Sequence, residues 1–285
     1  FVSSQDEIRE FNAWYEAGMY DQVNGTSTQA DLFPNYKIPD IIKEWPAHGD
    51  VSQGQDYYLA PFYDRNNDGT YSWEEGDFPW YDIKKTKDCS TERKISLYGD
   101  LNYWWVMNDK GNIHTETGAD PIGMEIRAQA FAFASNDEVN NMTFYNYELI
   151  NRGTQTLYNT YFGFFTDGAL GDPYDDYVGC DVNRGLGYYY NGDNYDGDNS
   201  GFKGYGYSPP AVGVDFFEGP YQDNDGIDNA SGIWDNEALN GIGYGDGVVD
   251  NERFGMRRFL YYSNTTNGAN PNQTDPVNAG DYYNY

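Results

Sequence analysis

Ile122-Gly-Met124-Glu-Ile126-Arg-Ala128-Gln-Ala130 alternates apolar and polar residues along most of its length. A period of two sends the two sets to opposite faces of an extended chain, so a half-buried β-strand is expected here. Its surroundings are short aromatic runs without helical spacing. Tyr103-Trp-Trp-Val-Met107 lies before it, and Met142 to Asn151 lies after it. Arg152-Gly153 then turns the chain into Thr156 to Thr166, which carries Leu157, Tyr158, Tyr161, Phe162, Phe164 and Phe165. Gly187-Tyr-Tyr-Tyr-Asn191 reads as a further strand. Strands joined by short turns, with no helices between them, favour antiparallel pairing. The expected fold is mainly β: an antiparallel β-sandwich of jelly-roll or Ig-like type, with long calcium-binding loops and one short amino-terminal helix. The aromatic stripes are read as core.

That helix starts at the other end of the chain. In Val2-Ser3-Ser4-Gln5-Asp6-Glu7-Ile8, Ser4 and Glu7 have capping-box spacing, and acids crowd the first turn. Ile8, Phe11 and Tyr15 recur at helical intervals, and Gly18 is expected to stop the run. Pro39 to Trp45 offers one more helical turn before Pro46 ends it. The expected division is a loop-rich region over 1–100 and a β-sandwich over 101–285, packed together as one unit.

The 285 residues include 17 basic and 46 acidic ones, a formal charge of −29. Such a field repels nucleic acid and anionic membranes and attracts divalent cations. No run of about twenty apolar residues exists, so membrane insertion is not expected. Low hydrophobicity with high charge would suggest disorder. The 29 Tyr, 16 Phe and 7 Trp argue against it, because aromatic rings bury large areas with few rotors. Phe1 is not a start methionine and no signal peptide is present, so the chain is read as a segment of something longer.

Asp64-Arg-Asn66-Asn-Asp68-Gly69-Thr70-Tyr-Ser72-Trp-Glu-Glu75 has the ligand order of a twelve-residue EF-hand calcium loop. Asp64, Asn66, Asp68, Ser72 and Glu75 stand at positions one, three, five, nine and twelve. Gly69 stands at six, and Thr70 offers its carbonyl at seven. Pro61 before the loop and Pro79 after it forbid long flanking helices, so the expected role is structural pinning, not calcium sensing. The alternative is a solvated acidic turn.

Further acids gather in the second half. Asp167 to Asp176 holds four carboxylates. That stretch, Asp223-Asn-Asp225-Gly226-Ile-Asp228-Asn229 and Asp246-Gly247-Val-Val-Asp250-Asn-Glu252 are each candidate calcium loops, against plain turn chemistry. Arg253, Arg257 and Arg258 follow and are candidates to pair with buried acids. Cys89 and Cys180 are the two cysteines, and they lie away from His48 and His114, which disfavours zinc. They are candidates for a disulfide, the alternative being a buried thiol.

Catalysis has little support. His114 and Glu116 could act as base and partner, but no known catalytic signature surrounds them, and paired carboxylates mean little among so many acids. Trp73, Trp80, Trp104 and Trp105 are the candidates for stacking on sugar rings, with core packing as the alternative.

Several stretches together resemble a known group. They are Ile41-Ile-Lys-Glu-Trp45-Pro-Ala-His-Gly49, the Asp64–Glu75 loop with Gly76-Asp-Phe-Pro79, Trp105-Val-Met-Asn-Asp109 and His114-Thr-Glu-Thr117. Asp175-Asp-Tyr-Val-Gly-Cys-Asp181, Pro209-Pro-Ala-Val-Gly-Val214, Gly245 to Arg258 and the final Asp281-Tyr-Tyr-Asn-Tyr285 complete the set. They resemble the amino-terminal region of large secreted Bacteroidetes proteins that carry a carboxy-terminal type IX secretion sorting domain. The resemblance implies export, a cell-surface or extracellular location, and a longer parent chain. It implies no activity and no catalytic residues. The functional expectation is a non-catalytic, calcium-stabilised structural or adhesive module that meets other copies of itself. The alternative is a glycan-binding module or glycan-active hydrolase.

Overall fold

The computed structural model describes residues 1–83, 96–111, 113–115, 118–230 and 241–262. The fold is mainly β, with antiparallel sheets and few helices. In chain order the elements are β1 (Val2–Ser4), α1 (Gln5–Asn24), α2 (Thr28–Leu32), α3 (Asp40–Lys43), β2 (Phe62–Tyr63) and β3 (Phe78–Pro79). Then come β4 (Leu101–Asn108), β5 (Met124–Ala132), β6 (Phe144–Asn151), β7 (Asp176–Asp181), β8 (Leu186–Asn191), β9 (Tyr195–Asp196), β10 (Gly206–Tyr207) and β11 (Ala211–Asp215). Two compact units result: Phe1–Thr115 with Ala119–Leu157, and the chain from Tyr158 onward.

The first unit contains an antiparallel sheet ordered β1-β4-β5-β6. Strand β1 pairs Val2 with Tyr103 and Ser4 with Leu101, so the extreme amino terminus and the strands after residue 100 are one structure. The capping box is formed: the Ser4 hydroxyl accepts from the Glu7 N–H at 3.3 Å, and the Glu7 carboxylate accepts from the Ser4 N–H at 3.2 Å. Ile8 and Phe11 of α1 are fully buried against Ile42, Trp45, Phe78, Tyr81, Leu97 and Trp104.

Gly18 does not end α1, which runs six residues further and stops at Gly25 in the left-handed conformation, φ 65°. Gly18 serves packing instead. A Cβ there would lie 2.5 Å from the Gln29 amide nitrogen, which donates to the Trp14 carbonyl at 3.0 Å. The amino-terminal helix is therefore 20 residues long, not short.

Alternation along β5 identified the strand, yet its polar set is the one turned to the core. Gln129 sits across from Trp104 and Arg127 across from Val106, on the face that carries buried Asn102 and Trp104. Each polar group finds a partner there. The Gln129 amide accepts from Asn102 and donates to the Ser96 carbonyl. Arg127 bonds Glu125 and Asp56 at 2.8 Å each. The apolar set, Ile126, Ala128 and Ala130, shares the opposite face with Tyr103, Trp105 and Met107 of β4 and Tyr145, Tyr147 and Leu149 of β6.

Thr156 to Thr166 is not a strand. Asn159 takes a left-handed φ of 49°, which breaks an extended run, and Tyr158, Tyr161, Phe162, Phe164 and Phe165 are exposed. These rings lie outside the core that the sequence assigned to them. The sheet of the second unit is ordered β11-β8-β7, with Val212 paired to Tyr189 and Val178 paired to Tyr189 on its other side.

Phe78 is fully buried and stacks on Tyr63 with centroids 4.9 Å apart. Phe78→Ala is expected to cost about 3–5 kcal/mol, read as a lowered urea midpoint at unchanged slope.

Candidate metal centre

The Asp64–Glu75 loop is closed by its own side chains. Asp64 accepts from the Asp68 N–H at 3.2 Å and the Gly69 N–H at 2.7 Å. The Asn66 side-chain oxygen accepts from the Asp68 N–H, and Asp68 from the Thr70 N–H. Asn66 donates its amide to both Asp68, at 3.1 Å, and Glu75, at 2.8 Å, and so draws positions three, five and twelve together. An N–H dipole between two carboxylates does weakly what a cation does strongly. Gly69, at φ 79°, supplies the turn, and its missing Cβ leaves room for the Tyr58 hydroxyl, which would lie 2.7 Å from it. The Thr70 hydroxyl faces the Tyr57 hydroxyl, and the Ser72 hydroxyl donates to Glu74.

Asp77 was not singled out from the sequence, yet it ties off the loop. It is fully buried and accepts from the Arg65 and Ser72 N–H groups, both at 2.9 Å. Burial, with the charges of Asp64 and Asp68, holds its carboxyl above the usual value. Arg65 links this loop to α1. Its guanidinium donates to Asn12 at 2.6 Å and to the Gly76 carbonyl at 3.2 Å, and it lies 4.9 Å from the Tyr15 ring centroid.

The denser candidate lies in the second unit. Among the described residues, Asp223, Asp225 and Asp250 alone bring three acidic ligand atoms within 4.8 Å of one another. They come from two loops joined by backbone bonds. Tyr221 bridges Arg253 antiparallel, and the Gln222 N–H donates to the Glu252 carbonyl at 2.9 Å. Asp250, at φ 58°, accepts from the Gly226 N–H at 2.8 Å across the two loops. Asp228 is committed elsewhere, to the Gly245 and Gly247 N–H groups, and it too fastens one loop to the other. Asp246 closes its own turn on Val248 and accepts from Asn251, and these bonds hold its carboxyl below the usual value.

Glu252 is 1% exposed. One oxygen accepts from the Asn229 N–H at 2.5 Å, and the other has no partner. Arg253, next in the chain, pairs with Glu218 at 3.3 Å, donates to the Gly219 carbonyl and lies over the Tyr221 ring. Gln222, Asn229 and Asn251 each hold a buried amide oxygen without a partner. In the antiparallel register Gln222 faces Glu252, so their side chains leave the same side. Carboxylates and amide oxygens, with no nitrogen or sulfur ligand, suit a hard cation of the calcium type. Sequence reasoning found the acids and missed these amides, because Asn and Gln carry no charge signal.

The other candidate residues separate. Trp104 is buried beside Trp45 and Phe1, with centroids 6.2 and 6.4 Å away, and cannot stack on a sugar. Trp73 packs against the core from its edge, Trp80 is half-buried beside β3, and Trp105 is half-buried on the aromatic face of β4. His48 bonds the Tyr57 carbonyl with one ring nitrogen and the Tyr71 N–H with the other, and His114 bonds the Asp109 carbonyl. Both are structural. Glu116 and Cys89 lie outside the described residues. Cys180 lies on β7, where burial and then the Asp181 charge push its thiol up.

Asp77→Ala removes the acceptor from two backbone N–H groups and is expected to cost about 2–4 kcal/mol in thermal or urea unfolding. No family model matches the chain, and no curated protein or solved structure matches it either.

Proposed function

We propose that the chain is a non-catalytic, calcium-stabilised structural or adhesive module of a larger secreted protein, acting at the cell surface or outside the cell. The observation that carries this reading is Glu252: a carboxylate 1% exposed, with one oxygen unpartnered, two residues along the chain from Asp250 of the Asp223, Asp225 and Asp250 cluster. An isolated buried carboxylate costs several kcal/mol, and a bound divalent cation removes that cost. The Asp64–Glu75 loop is the second proposed calcium site, on its ligand order and on the gathering of Asp68 and Glu75 around Asn66. Millimolar calcium outside cells fills even weak sites. The secreted location and the longer parent rest on the resemblance drawn from the sequence.

A sandwich is the proposed finer fold. The four-stranded sheet has its core on one face, while the other face presents Tyr103, Met107, Tyr145, Tyr147 and Leu149 to solvent. An apolar sheet face calls for a second layer. The same face supports self-assembly, through contact with another copy of the chain.

One observation favours glycan binding as a second reading. Tyr145 and Tyr147 are exposed, with rings 5° from parallel and centroids 6.4 Å apart. Paired flat rings suit sugar stacking. Tyr145→Ala with Tyr147→Ala is expected to abolish any polysaccharide retention in affinity electrophoresis while leaving calcium uptake unchanged.

Chelation at fixed ionic strength is expected to lower Tm sharply, with added calcium restoring it and sodium chloride failing to. A site filled a hundredfold above Kd adds about 2.7 kcal/mol. A melting curve indifferent to chelator and calcium ends the calcium reading.

The pH dependence separates the two states. Burial first, and then neighbouring acids, raise Asp77 and Asp176. A carboxyl raised in the folded state binds more protons there than in the unfolded state, so stability falls as pH rises through its folded value. Asp56 and Asp246 are lowered, and their contribution disappears only below the ordinary carboxylate range. Chelated protein should therefore gain stability on mild acidification from neutrality. Calcium-loaded protein should lose it, because protons compete with the ion. Scanning calorimetry across that range, with and without calcium, checks the opposite slopes.

A further inference from the structure

The sheet β11-β8-β7 has two unlike faces. Tyr189 of β8 stands on one of them, and its hydroxyl donates to the Thr166 carbonyl at 2.7 Å. A Cβ on Gly168 would lie 3.0 Å from the Tyr189 ring, and one on Gly187, on the same face, would lie 2.8 Å from the Phe259 ring. Tyr189 and Gly187 are thus packed from within their own unit.

The other face carries a row of tyrosines. Tyr190 pairs directly with Tyr177 of β7, and Tyr188 pairs directly with Gly179. Tyr177 is 58% exposed and Tyr190 is 40% exposed. Two glycines let rings lie down on the backbone. A Cβ on Gly179 would lie 2.5 Å from Cε2 of Tyr188, and a Cβ on Gly192 would lie 2.5 Å from Cε2 of Tyr177. From Tyr177 to Tyr190 to Tyr188 the centroids are 5.9 and 5.8 Å apart, with planes 31° and 42° from parallel. On the β11 side the same face falls to Ala211, opposite Tyr190, and Gly213, opposite Tyr188, both exposed. Packing a ring over glycine steadies an edge strand. It does not require the outer surfaces of Tyr177 and Tyr190 to stay uncovered.

The charge beside the row is negative. Asp181 and Asp215 flank Leu186 on this face, two residues along β8 from Tyr188. Between 167 and 218 stand ten acids and two basic residues, Arg184 and Lys203. Lys203 pairs with Asp198, and Arg184 reaches Asp181 only at 3.6 Å, in an exposed pair that contributes little. Such a surface repels an anionic ligand and draws a cationic one. Ring faces carry partial negative charge and accept guanidinium groups. The chain uses that contact itself, with Arg253 at 3.8 Å from the Tyr221 ring centroid and Arg65 at 4.9 Å from that of Tyr15. Spacing points the same way, because same-side residues of an extended peptide recur about every 6.7 Å, close to the interval between these rings. The mutual tilts spoil a flat platform for a sugar chain, yet they leave each ring a face for its own cation.

We propose that Tyr177, Tyr188 and Tyr190, with Asp181 and Asp215, bind an extended arginine-bearing segment of a partner protein. The proposal rests on the adhesive reading and gives its partner a chemistry. Alternate side chains of the segment stack on the rings, and a further arginine meets the two acids.

The test is fluorescence anisotropy on the full chain in saturating calcium, with a labelled peptide that carries arginine at every second position and serine between. Wild type is expected to bind it, and Tyr177→Ala/Tyr190→Ala to bind about tenfold more weakly or worse. Tyr190→Phe, which keeps the ring, should bind like wild type. Ala211→Arg sets a like charge beside Tyr190 and should weaken binding comparably. It decides alone if circular dichroism shows the double variant misfolded. Equal affinity in wild type and the folded double variant, or for a lysine peptide of the same charge, means association through the acidic field alone and overturns the proposal. So does a wild type that ignores the peptide. Retention of wild type on a neutral polysaccharide, lost in the double variant, assigns the row to sugar and overturns it too. None of these outcomes touches the calcium reading, which the chelation melt decides separately.

Discussion

A carboxylate taken out of water must meet N–H donors, a cation or a proton. That constraint runs through this molecule. Asp77 is satisfied by two backbone N–H groups, which draw the ends of the Asp64–Glu75 loop together. Asp196 receives two more, from Asp172 and Tyr205. Glu252 receives one, from Asn229, and keeps an oxygen dry. The series moves from full to partial satisfaction, and a bound cation is what the proposed function places at its far end. With a net charge of −29, the chain has few internal cations to spare for this.

Where the chain does have arginines, they are used as clamps. Arg127 and Arg152 converge on Asp56 and Glu125. Arg65 holds the first loop to α1 through Asn12 and Glu16. Arg253 anchors the Tyr221–Arg253 bridge through Glu218 and the ring of Tyr221. Planar guanidinium groups suit such shared contacts better than ammonium groups would. The first unit combines the Arg65, Arg127 and Arg152 clamps with a continuous aromatic and aliphatic core, against which Phe62 and the loop's own Tyr71 and Trp73 pack. In the second unit, from Tyr158 on, only Leu170 among the described hydrophobic residues is buried, and the acidic turns carry correspondingly more of the organisation.

Much of this was legible in the chain. The Ser4–Glu7 spacing marked the start of α1, Pro39 and Pro46 bracketed α3, and short runs located β4, β5, β6 and β8. These are local effects of capping, proline geometry and side-chain period, and they act between residues close in sequence. The same logic misread Gly18, because a glycine inside a helix and one at its end look alike until Gln29 is seen packed against it. It also read Thr156 to Thr166 as a strand, although a strand needs a partner and Asn159 turns the backbone away.

The sequence by itself determined the start of α1, the strands β4, β5, β6 and β8, the acidic field and the places where carboxylates concentrate. Only the tertiary structure decided which face of β5 meets the core, since Gln129 and Arg127 could be buried only where Asn102, Ser96 and Asp56 wait for them. It also joined residues 2–4 to the strands beyond 100, and it placed Gln222 opposite Glu252 and Asn191 opposite Asp176. Neutral amides carry no charge pattern along the chain. Long-range pairing buries them and leaves the side-chain oxygens of Gln222 and Asn191 without a hydrogen-bond partner.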